Sequence, residues 1–275
     1  MNHLHILTLN WNGLTKISKL KESLMPSLDS IKYTWHIRDN GSTDASVEEI
    51  NKWSSADKNI ICHPLNHNNN NFSEGVNELF TLSNAKDSDL VLLLNNDVVF
   101  NDRKSLNTLI SLMESDRSIG VVGAKLLKPN SDIINHAGVV FHPHNGLPMH
   151  FRAGDKDDKH SKVNREFQAV TGAVFLTRAS TFKDAGCMNG ALRWAFDDIH
   201  LALSIKYNLK KKIVMAGDVD ISHEESASLK LNPVNKLHMN HNIKEFLSSW
   251  NKKYIIDFIN YKTNSNCNIY KGPSK

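Results

Sequence analysis

The spacing of apolar residues in the first part of the chain predicts strands that alternate with helices. Short apolar runs occupy residues 4–9, 34–38, 59–63 and 89–94, and segments with helical spacing lie between them. This order predicts βαβ units and therefore a parallel sheet. The last run contains Leu-Val-Leu-Leu-Leu without interruption, which is typical of a strand buried on both faces.

The second part of the chain has a different pattern. From about Gly120 the apolar segments are β-rich and lie at residues 121–127, 138–141, 167–177 and 212–216. Together with the first part, they predict an α/β protein with a Rossmann-like open nucleotide-binding sheet that is mostly parallel, followed by a mixed C-terminal half.

Apolar residues recur at three- and four-residue spacing from Ile243 to Ile259 and predict a C-terminal amphipathic helix. Two interpretations of this helix stay open. Its apolar stripe packs against the core, or it contacts an anionic membrane surface with the help of flanking basic residues. These basic residues are Lys244, Lys252, Lys253 and Lys262.

Composition narrows the class of protein. A length of 275 residues suits one large domain or two modest ones, since domains usually contain about 100–200 residues. The net charge of +4 suits an anionic ligand or a membrane surface but is too diffuse to indicate nucleic-acid binding. The three cysteines are widely spaced and odd in number, so they predict neither a disulfide framework nor a cysteine-based zinc site.

Two further features bear on location. Residues 1–7 contain no basic leader or small-residue cleavage site, and no apolar stretch approaches the roughly 20 residues needed to span a bilayer. The cysteine pattern fits a reducing compartment. We therefore expect a cytoplasmic protein, and peripheral contact with the inner face of the membrane stays open.

Polar residues directly after the predicted strands are the candidates for ligand binding, because open α/β sheets bind ligands beyond the carboxyl ends of their strands. Asn10 follows the first strand. Asp39 follows the second, and its carboxylate can accept hydrogen bonds from a base or from ribose hydroxyls. Asp-Asn-Gly sequences also form turns, and from Asp39 alone the turn is the favoured interpretation.

Asp97 ends an Asn-Asn-Asp segment that lies between two apolar runs. A carboxylate at this point can bind a divalent cation that bridges two phosphates, because hard cations prefer oxygen ligands. A strand-end cap explains Asp97 about equally well. His223 is able to complete the coordination shell, more readily for Mn²⁺ than for Mg²⁺, although a lone histidine is more often structural.

Asp197 and Asp198 precede a segment with helical spacing. Acidic residues at a helix start commonly complement the helix dipole. The functional alternative is that one of the two carboxylates acts as a general base and removes the proton from an acceptor hydroxyl. Two adjacent carboxylates cannot both play this part.

Taken in order, seven segments resemble the family 2 glycosyltransferases of the GT-A fold, especially the bacterial rhamnosyltransferase-like branch. They extend from about residue 4 to residue 228, and their order makes the resemblance specific. The segments are Leu9-Asn10-Trp11-Asn12-Gly13, Asp39-Asn40-Gly41-Ser42-Thr43-Asp44, Asn71-Phe72-Ser73-Glu74-Gly75-Val76-Asn77, Leu92-Leu93-Leu94-Asn95-Asn96-Asp97, Val170-Thr171-Gly172-Ala173, Phe196-Asp197-Asp198 and His223-Glu224-Glu225-Ser226-Ala227-Ser228.

The resemblance implies a GT-A domain over residues 1–230, in which 1–118 bind the nucleotide sugar and 119–230 bind the acceptor and carry catalysis. Residues 231–275 would form a C-terminal helical extension. For the site, the resemblance implies an inverting base at Asp198, with Asp197 as its neighbour, and a divalent cation, Mn²⁺ or Mg²⁺, on Asp97, for which His223 is the candidate second ligand. It implies that Thr8, Asn10 and Asp39 line the nucleoside pocket. Asn77 and Asn96, in the matching segments, are further candidates for contact with the nucleotide sugar.

The expected activity is metal-dependent, inverting transfer of a sugar from a UDP- or dTDP-sugar to a hydroxyl of a saccharide or lipid-linked saccharide, in bacterial surface polysaccharide synthesis. Two alternatives stay open: a sugar nucleotidyltransferase, and a nucleotide-sugar or glycan-binding module without transfer activity. A nucleotidyltransferase would need a glycine-rich basic loop after the first strand, and Asn10-Trp11-Asn12-Gly13-Leu14 is not one.

The chain departs from the family pattern at three positions. Asn71 precedes Phe72 where the family usually has glycine, the acidic pair is Asp-Asp instead of Glu-Asp, and His200 replaces a frequent acidic residue. Glycine at position 71 would permit positive φ angles that asparagine tolerates less easily, so we expect an altered backbone turn there. The other two changes bear on acceptor specificity more than on fold.

Overall fold

The computed structural model describes residues 2–64, 71–192, 195–224, 234–250 and 253–273. Its strands are β1 (Leu4–Asn10), β2 (Tyr33–Asp39), β3 (Ile60–Pro64), β4 (Leu90–Leu94), β5 (Val98–Phe100), β6 (Ile119–Ala124), β7 (Leu126–Leu127), β8 (Ile134–His136), β9 (Val139–Phe141), β10 (Pro148–His150), β11 (Arg165–Phe167), β12 (Val174–Arg178), β13 (Lys212–Ala216) and β14 (Ile221–His223). Its helices are α1 (Leu14–Leu24), α2 (Ser46–Ala56), α3 (Phe72–Ser83), α4 (Ser105–Ser115), α5 (Ala179–Asp184), α6 (Asp197–Leu203), α7 (Val234–Trp250) and α8 (Phe258–Thr263).

The described part of the chain forms one large sheet and two small ones. The large sheet has the order β11-β13-β6-β12-β4-β1-β2-β3, in which β3, β2, β1 and β4 are parallel and β12 is antiparallel to both of its neighbours. A four-stranded sheet, β5-β14-β7-β8, adjoins the end of β4, and β9 pairs with β10. This arrangement confirms the expected α/β fold with a mostly parallel sheet and a mixed second half.

Side chains of alternate residues in the central strand pack on opposite faces of the large sheet. In β4, Leu90, Leu92 and Leu94 pack with α1, α2 and α4 on one face. Val91 and Leu93 pack with α3, α5 and α6 on the other face. Burial of each such side chain contributes about 1.5–3 kcal/mol, so β4 anchors the sheet from both sides.

The predicted strand at residues 167–177 is interrupted. β11 ends at Phe167, and β12 begins only at Val174. Between them, the backbone amides of Thr171 and Gly172 donate to the side chains of His136 and Asp198 instead of to a neighbouring strand. Contacts between residues far apart in the sequence therefore end the ladder here.

The C-terminal amphipathic segment is two helices, so the prediction of one helix from Ile243 to Ile259 was wrong. α7 ends at Trp250, and residues 253–257, before α8, are not helical. The side chain of Gln168 explains the break. Its amide donates to the Ile255 carbonyl oxygen at 2.7 Å, and its own oxygen accepts from the Ile255 amide at 2.8 Å. The backbone of Ile255 therefore pairs with a buried side chain instead of with a helical neighbour.

The C-terminal segments pack into the same core as the rest of the chain. Phe246, Trp250, Tyr254 and Tyr261 are buried in the cluster on the α3 face of the large sheet. The expected boundary between residues 230 and 231 lies outside the described residues, as do Lys252 and Glu225 to Ser228. Within the described ranges, no helix combines the length and apolarity needed to cross a bilayer.

A row of histidines crosses the first three strands on the α3 face of the sheet. His5 Nδ1 lies 3.3 Å from His36 Nε2, and His36 Nδ1 lies 3.1 Å from His63 Nε2. At one end of the row, His5 Nε2 lies 3.5 Å from Asp89 Oδ2. Neutral imidazoles have one donor and one acceptor each, so all three rings can bond in sequence toward Asp89.

Protonation of the central ring would disrupt this row. Burial lowers the pKa of His36 to about 3, and the neighbouring imidazoles add to the effect. Burial also lowers the pKa of His5 and of His63; Asp89 opposes this at His5, and at His63 Arg38 adds to the lowering while Glu78 opposes it. The unfolded chain therefore takes up protons on these residues before the folded chain does, and the folded state loses stability as the pH falls below about 6.5.

We predict that the free energy of unfolding falls by about 2 kcal/mol between pH 7 and pH 5 because of His36 alone. Replacement His36→Gln should remove this part of the pH dependence, because glutamine keeps a donor and an acceptor but does not titrate. Urea unfolding at the two pH values measures the difference, and His160→Gln on an exposed turn is the control. Equal pH dependence in the parent and in His36→Gln would contradict the prediction.

Candidate active site

The strand ends that were expected to carry the site meet at one edge of the large sheet. β1 lies between β2 and β4 and is parallel to both, so Asn10, Asp39 and Leu94 end neighbouring strands on the same side. β12 runs in the opposite direction and begins at this edge, since Val174 pairs with Leu94. Residues just before β12 therefore lie next to residues just after β4.

The side chain of Asn10 joins the loops that follow β2 and β4. Its Nδ2 donates to Asp39 Oδ2 at 2.9 Å, and its Oδ1 accepts from Asn96 Nδ2 at 2.8 Å. Gly13 leaves room for this pair, because a Cβ at that position would lie 2.5 Å from Asn96 Nδ2 and 2.6 Å from Asn10 Oδ1. Asn10 and Asn96, both expected at the nucleotide site, are thus brought together with Asp39.

Asp39 is buried, and both of its carboxylate oxygens accept hydrogen bonds from the protein. Oδ1 accepts from the amides of Gly41 at 3.0 Å and Ser42 at 2.7 Å. Oδ2 accepts from the Ser42 hydroxyl at 2.7 Å as well as from Asn10. Asp39 therefore organises the turn after β2, and its direct contact with a nucleoside stays a prediction.

Two other residues expected to contact the nucleotide sugar bond within the protein instead. Thr8 is fully buried, and its hydroxyl accepts from the Trp35 indole at 3.0 Å. The Asn77 side chain exchanges two hydrogen bonds with the backbone of Met188, each of 2.9 Å. These contacts hold β1 against β2 and α3 against the loop after α5, and a role for either residue in nucleotide binding stays a prediction.

Asp97 and His223 form the candidate cation site. β14 pairs with β5, which brings His223 Nε2 to 3.0 Å from Asp97 Oδ1. The contact lacks hydrogen-bond geometry, and both buried atoms are without a hydrogen-bond partner among the described residues. Two ligand atoms that face each other without a hydrogen bond fit a shared divalent cation, because buried polar atoms usually have hydrogen-bond partners.

The protein supplies only part of a coordination shell. No third histidine, cysteine or carboxylate joins Asp97 and His223 in the described ranges. Mg²⁺ and similar cations are commonly held by one or two protein ligands, with substrate phosphates and water supplying the rest. The pair therefore fits a cation that arrives together with a diphosphate.

Asp198 lies at the start of α6 and is oriented by two backbone amides. Its Oδ2 accepts from Gly172 and its Oδ1 from Ile199, each at 2.7 Å. Gly172 packs closely, since a Cβ there would lie 3.1 Å from the Asp198 Cβ. Burial raises the pKa of Asp198 above its ordinary value, and the two amides oppose that rise.

Asp197 is more deeply buried than Asp198 and bonds to α3. Its Oδ2 accepts from the Ser73 hydroxyl at 3.0 Å, and its Oδ1 accepts from the Asp198 amide at 3.1 Å. Burial, and after it the adjacent Asp198 charge, raise the pKa of Asp197. Two neighbouring carboxylates in low dielectric resist simultaneous ionisation, and this favours the protonated form of Asp197.

The segment before β12 connects the base candidate to the cation site. Gly172 donates to Asp198, and the next residue, Ala173, accepts from the Asn95 amide at 3.0 Å. Asn95 begins the segment that ends at Asp97. The acidic segments around positions 39, 97 and 198 therefore lie along one edge of the sheet.

Two of the three departures from the family pattern, Asn71 and His200, have local explanations. Asn71 has φ of −65°, so position 71 does not require a left-handed backbone. It caps α3 instead, as its side chain accepts from Glu74 at 2.9 Å and donates to the Gly190 carbonyl at 3.0 Å. His200 accepts the indole N–H of Trp250 at 3.1 Å, which fixes the end of α7 to α6.

A family model described as Glycosyl transferase family 2 matches residues 16–177, which is more than half of the chain. The chain belongs to glycosyl transferase family 2. This assignment agrees with the resemblance drawn from the sequence, although the rhamnosyltransferase-like branch is not part of the match. Asp198 and His223 lie beyond the matched residues.

Solved structures similar to this family 2 member share its fold at low sequence identity. A mannosyltransferase from Pyrobaculum calidifontis in complex with GDP-Man and Mn²⁺ has a TM-score of 0.63 at 12% identity, over 96% of this chain and 70% of the other. GalNAc-T7 with UDP, GalNAc and Mn²⁺ has a TM-score of 0.67 at 13% identity, over 97% of this chain and 51% of the other. S. aureus TarS 1–349 with UDP-GlcNAc has a TM-score of 0.59 at 15% identity, over 90% of this chain and 67% of the other.

At these identities the similarity shows the GT-A fold alone. No curated protein sequence matches this family 2 glycosyltransferase.

Three residues at the site had been given no role from the sequence. Trp11 is 52% exposed in the loop after β1, where its ring offers a stacking surface next to Asn10. Lys16 Nζ lies 3.7 Å from Asp97 Oδ2. Ser73 holds Asp197. An aromatic residue in a strand-end loop is a signal that the sequence does contain, whereas the contacts of Lys16 and Ser73 depend on the packing of helices and have no local signature.

Proposed function

We propose that the chain is an inverting glycosyltransferase that moves a sugar from a nucleoside diphosphate donor to an acceptor hydroxyl, with Asp198 as the base. The main observation in support is that Asp97 and Asp198 lie at one edge of the sheet and are connected through Gly172 and Ala173. This arrangement provides a cation site for the leaving group and a separate carboxylate for the acceptor within one site.

We further propose that the reaction depends on a divalent cation held by Asp97 and His223. When bound, the cation would supply Lewis-acid stabilisation of the negative charge that develops on the leaving diphosphate. Support comes from the two unsatisfied buried atoms of this pair. Mn²⁺ suits the mixed oxygen and nitrogen ligands better than Mg²⁺ does.

Asp198 is a better candidate for the base than Asp197. The two amides that donate to Asp198 stabilise its ionised form, and Asp198 is partly exposed at the edge of the site. Asp197 is more deeply buried, and burial raises its pKa, so it is the better place for a proton. A protonated Asp197 would remove a like charge beside the base and keep Asp198 ready to accept a proton from the acceptor.

The donor site lies over the loops after β1 and β2. Asn10 and Asn96 line this edge, and the exposed ring of Trp11 can stack on a base. A UDP- or dTDP-sugar is the donor class that we propose, and a saccharide or lipid-linked saccharide is the acceptor class. A role in bacterial surface polysaccharide synthesis and membership of the rhamnosyltransferase-like branch are parts of the same proposal and rest on the sequence resemblance.

The two alternative functions make different demands on the site. A nucleotidyltransferase needs free phosphate-binding amides in a glycine-rich loop after the first strand, whereas here the Asn12 amide donates to the Ser42 hydroxyl and the Asn12 side chain accepts from the Thr43 amide, each at 2.7 Å. The buried pair Asp197 and Asp198 lowers the stability of the folded chain, and a binding module without activity would gain no function from it. Both observations favour transfer.

The experiment that tests the proposed function is a screen of UDP-, dTDP- and GDP-sugars with saccharide acceptors, read as Mn²⁺-dependent release of the nucleoside diphosphate. We predict that Asp198→Asn lowers the transfer rate by about 10²–10⁴-fold, the usual contribution of a general base, while donor affinity stays within about threefold. Titration calorimetry with the nucleoside diphosphate measures that affinity.

Asp184→Asn, at the exposed end of α5, is the matched control and should transfer at the parent rate. Transfer by Asp198→Asn at the parent rate would remove Asp198 from the base role. Donor binding without turnover in the parent would instead favour a binding module, and turnover that is unchanged by a chelator would contradict the role of Asp97.

We also propose that the C-terminal segment contacts an anionic membrane surface, which would bring the site to a lipid-linked acceptor. Ile255, Ile256 and Ile259 are 62%, 45% and 56% exposed and lie close together in the chain. Lys253 and Lys262 flank them and are also exposed. Exposed apolar side chains beside basic residues are typical of peripheral membrane contact.

Vesicle co-sedimentation tests this contact. We predict that the parent binds vesicles containing phosphatidylglycerol more tightly than neutral vesicles. Combined replacement of Ile255, Ile256 and Ile259 by serine should weaken binding at least tenfold, since each buried isoleucine contributes about 1.5–3 kcal/mol. Leu82→Ser, at a 45% exposed position on α3, is the control. Equal binding by the parent and the triple variant would contradict the proposal.

A further inference from the structure

The Asp97 carboxylate contacts a lysine as well as His223. Lys16, in the first turns of α1, brings its Nζ to 3.7 Å from Asp97 Oδ2, while His223 Nε2 lies 3.0 Å from Oδ1. The Lys16 side chain is 27% exposed and the Asp97 side chain 11% exposed, so solvent screens this contact only partly. The ammonium group therefore neutralises the carboxylate that is expected to bind the cation.

A cation on Asp97 would change the role of this lysine. A divalent ion at the carboxylate and the ammonium group of Lys16 would repel each other, because Lys16 contacts Oδ2 and the proposed ligand atom Oδ1 belongs to the same carboxylate. Since the lysine stem is long and flexible, the ammonium group is able to leave the carboxylate without a movement of α1. Lys19, on the same side of α1 and one turn later, lines the same small cleft with Asp97 but has no ion pair with it in the described residues.

We infer that Lys16 is the counter-ion of Asp97 in the absence of substrate and that it transfers to the donor diphosphate when the cation binds. This inference rests on the proposed function. Its consequence is that Lys16 opposes binding of the cation alone and favours binding of the cation together with the diphosphate. Cation and donor then bind cooperatively. The cation would displace Lys16 from Asp97, and the negative charge of the diphosphate would attract both the cation and the displaced Lys16.

The small number of protein ligands supports the same coupling. Asp97 and His223 leave most of the coordination shell to substrate oxygens and water, so the protein holds a lone cation weakly. The positive charge of Lys16 would weaken the binding of a lone cation further. Thermodynamic linkage requires that a residue which strengthens the effect of the nucleotide on cation binding also strengthens the effect of the cation on nucleotide binding.

The test compares Lys16→Met with Lys19→Met, and methionine keeps the apolar stem of the side chain. Binding of Mn²⁺ is measured by the loss of its free electron paramagnetic resonance signal, alone and with whichever of UDP, dTDP and GDP binds the parent most tightly. For Lys16→Met we expect Mn²⁺ alone to bind about five- to tenfold more tightly than in the parent, and the nucleotide in the presence of Mn²⁺ to bind more weakly by a similar factor. Lys19→Met should change both constants less.

Several outcomes would overturn the inference. Both constants of Lys16→Met within twofold of the parent would show that the Lys16 contact is only structural. Equal effects in Lys16→Met and Lys19→Met would show that Lys16 acts only through the general positive charge of the surface. If the parent binds Mn²⁺ neither alone nor with nucleotide, the cation site itself fails and the proposed metal dependence fails with it. Cooperative binding in the parent that Lys16→Met leaves intact removes only the role of Lys16.

Discussion

The carboxamide of Asn10 is the interaction on which the arrangement of the candidate site depends. It donates to Asp39 after β2 and accepts from Asn96 after β4, so one buried side chain sets the relative positions of the loops that follow three parallel strands. Gly13 is required for the same reason, because a Cβ there would collide with both amides. The loops that contain Asp39 and Asn96 are positioned by this contact.

Acidic residues gathered at one edge repel each other, and the structure compensates their charges in different ways. Asp39 receives four hydrogen-bond donors, Asp97 faces a lysine and a histidine, and Asp198 receives two backbone amides. Only Asp97 keeps an unsatisfied oxygen among these three. A divalent cation is the partner that would complete this compensation, and we therefore treat the cation, the diphosphate and Lys16 together.

The spacing of apolar residues predicted the elements whose structure depends on residues close together in the chain. The apolar runs located β1 to β4 within one or two residues, and the uninterrupted run of β4 correctly indicated burial on both faces, because side chains alternate along a strand. The position of Asn10, Asp39 and Asp97 at strand ends followed from the parallel order of those strands.

Contacts between distant residues could not be predicted in this way. The periodicity from Ile243 to Ile259 indicated a single helix, but the pairing of Ile255 with Gln168 breaks it, and the two residues are 87 positions apart. The hydrogen bonds between the Asn77 side chain and the backbone of Met188 also join residues 111 positions apart. The approach of Lys16 to Asp97 likewise results from the packing of α1 under β5 and has no signature in the sequence.

The most direct test of the central claim is a crystal structure of the protein grown with Mn²⁺ and a nucleoside diphosphate, with data collected at the manganese absorption edge. We expect one strong anomalous peak in contact with Asp97 and His223, with diphosphate oxygens on the same ion and the base over the loops of Asn10 and Asp39. A manganese peak away from Asp97, or a nucleotide bound on another face of the sheet, would contradict it.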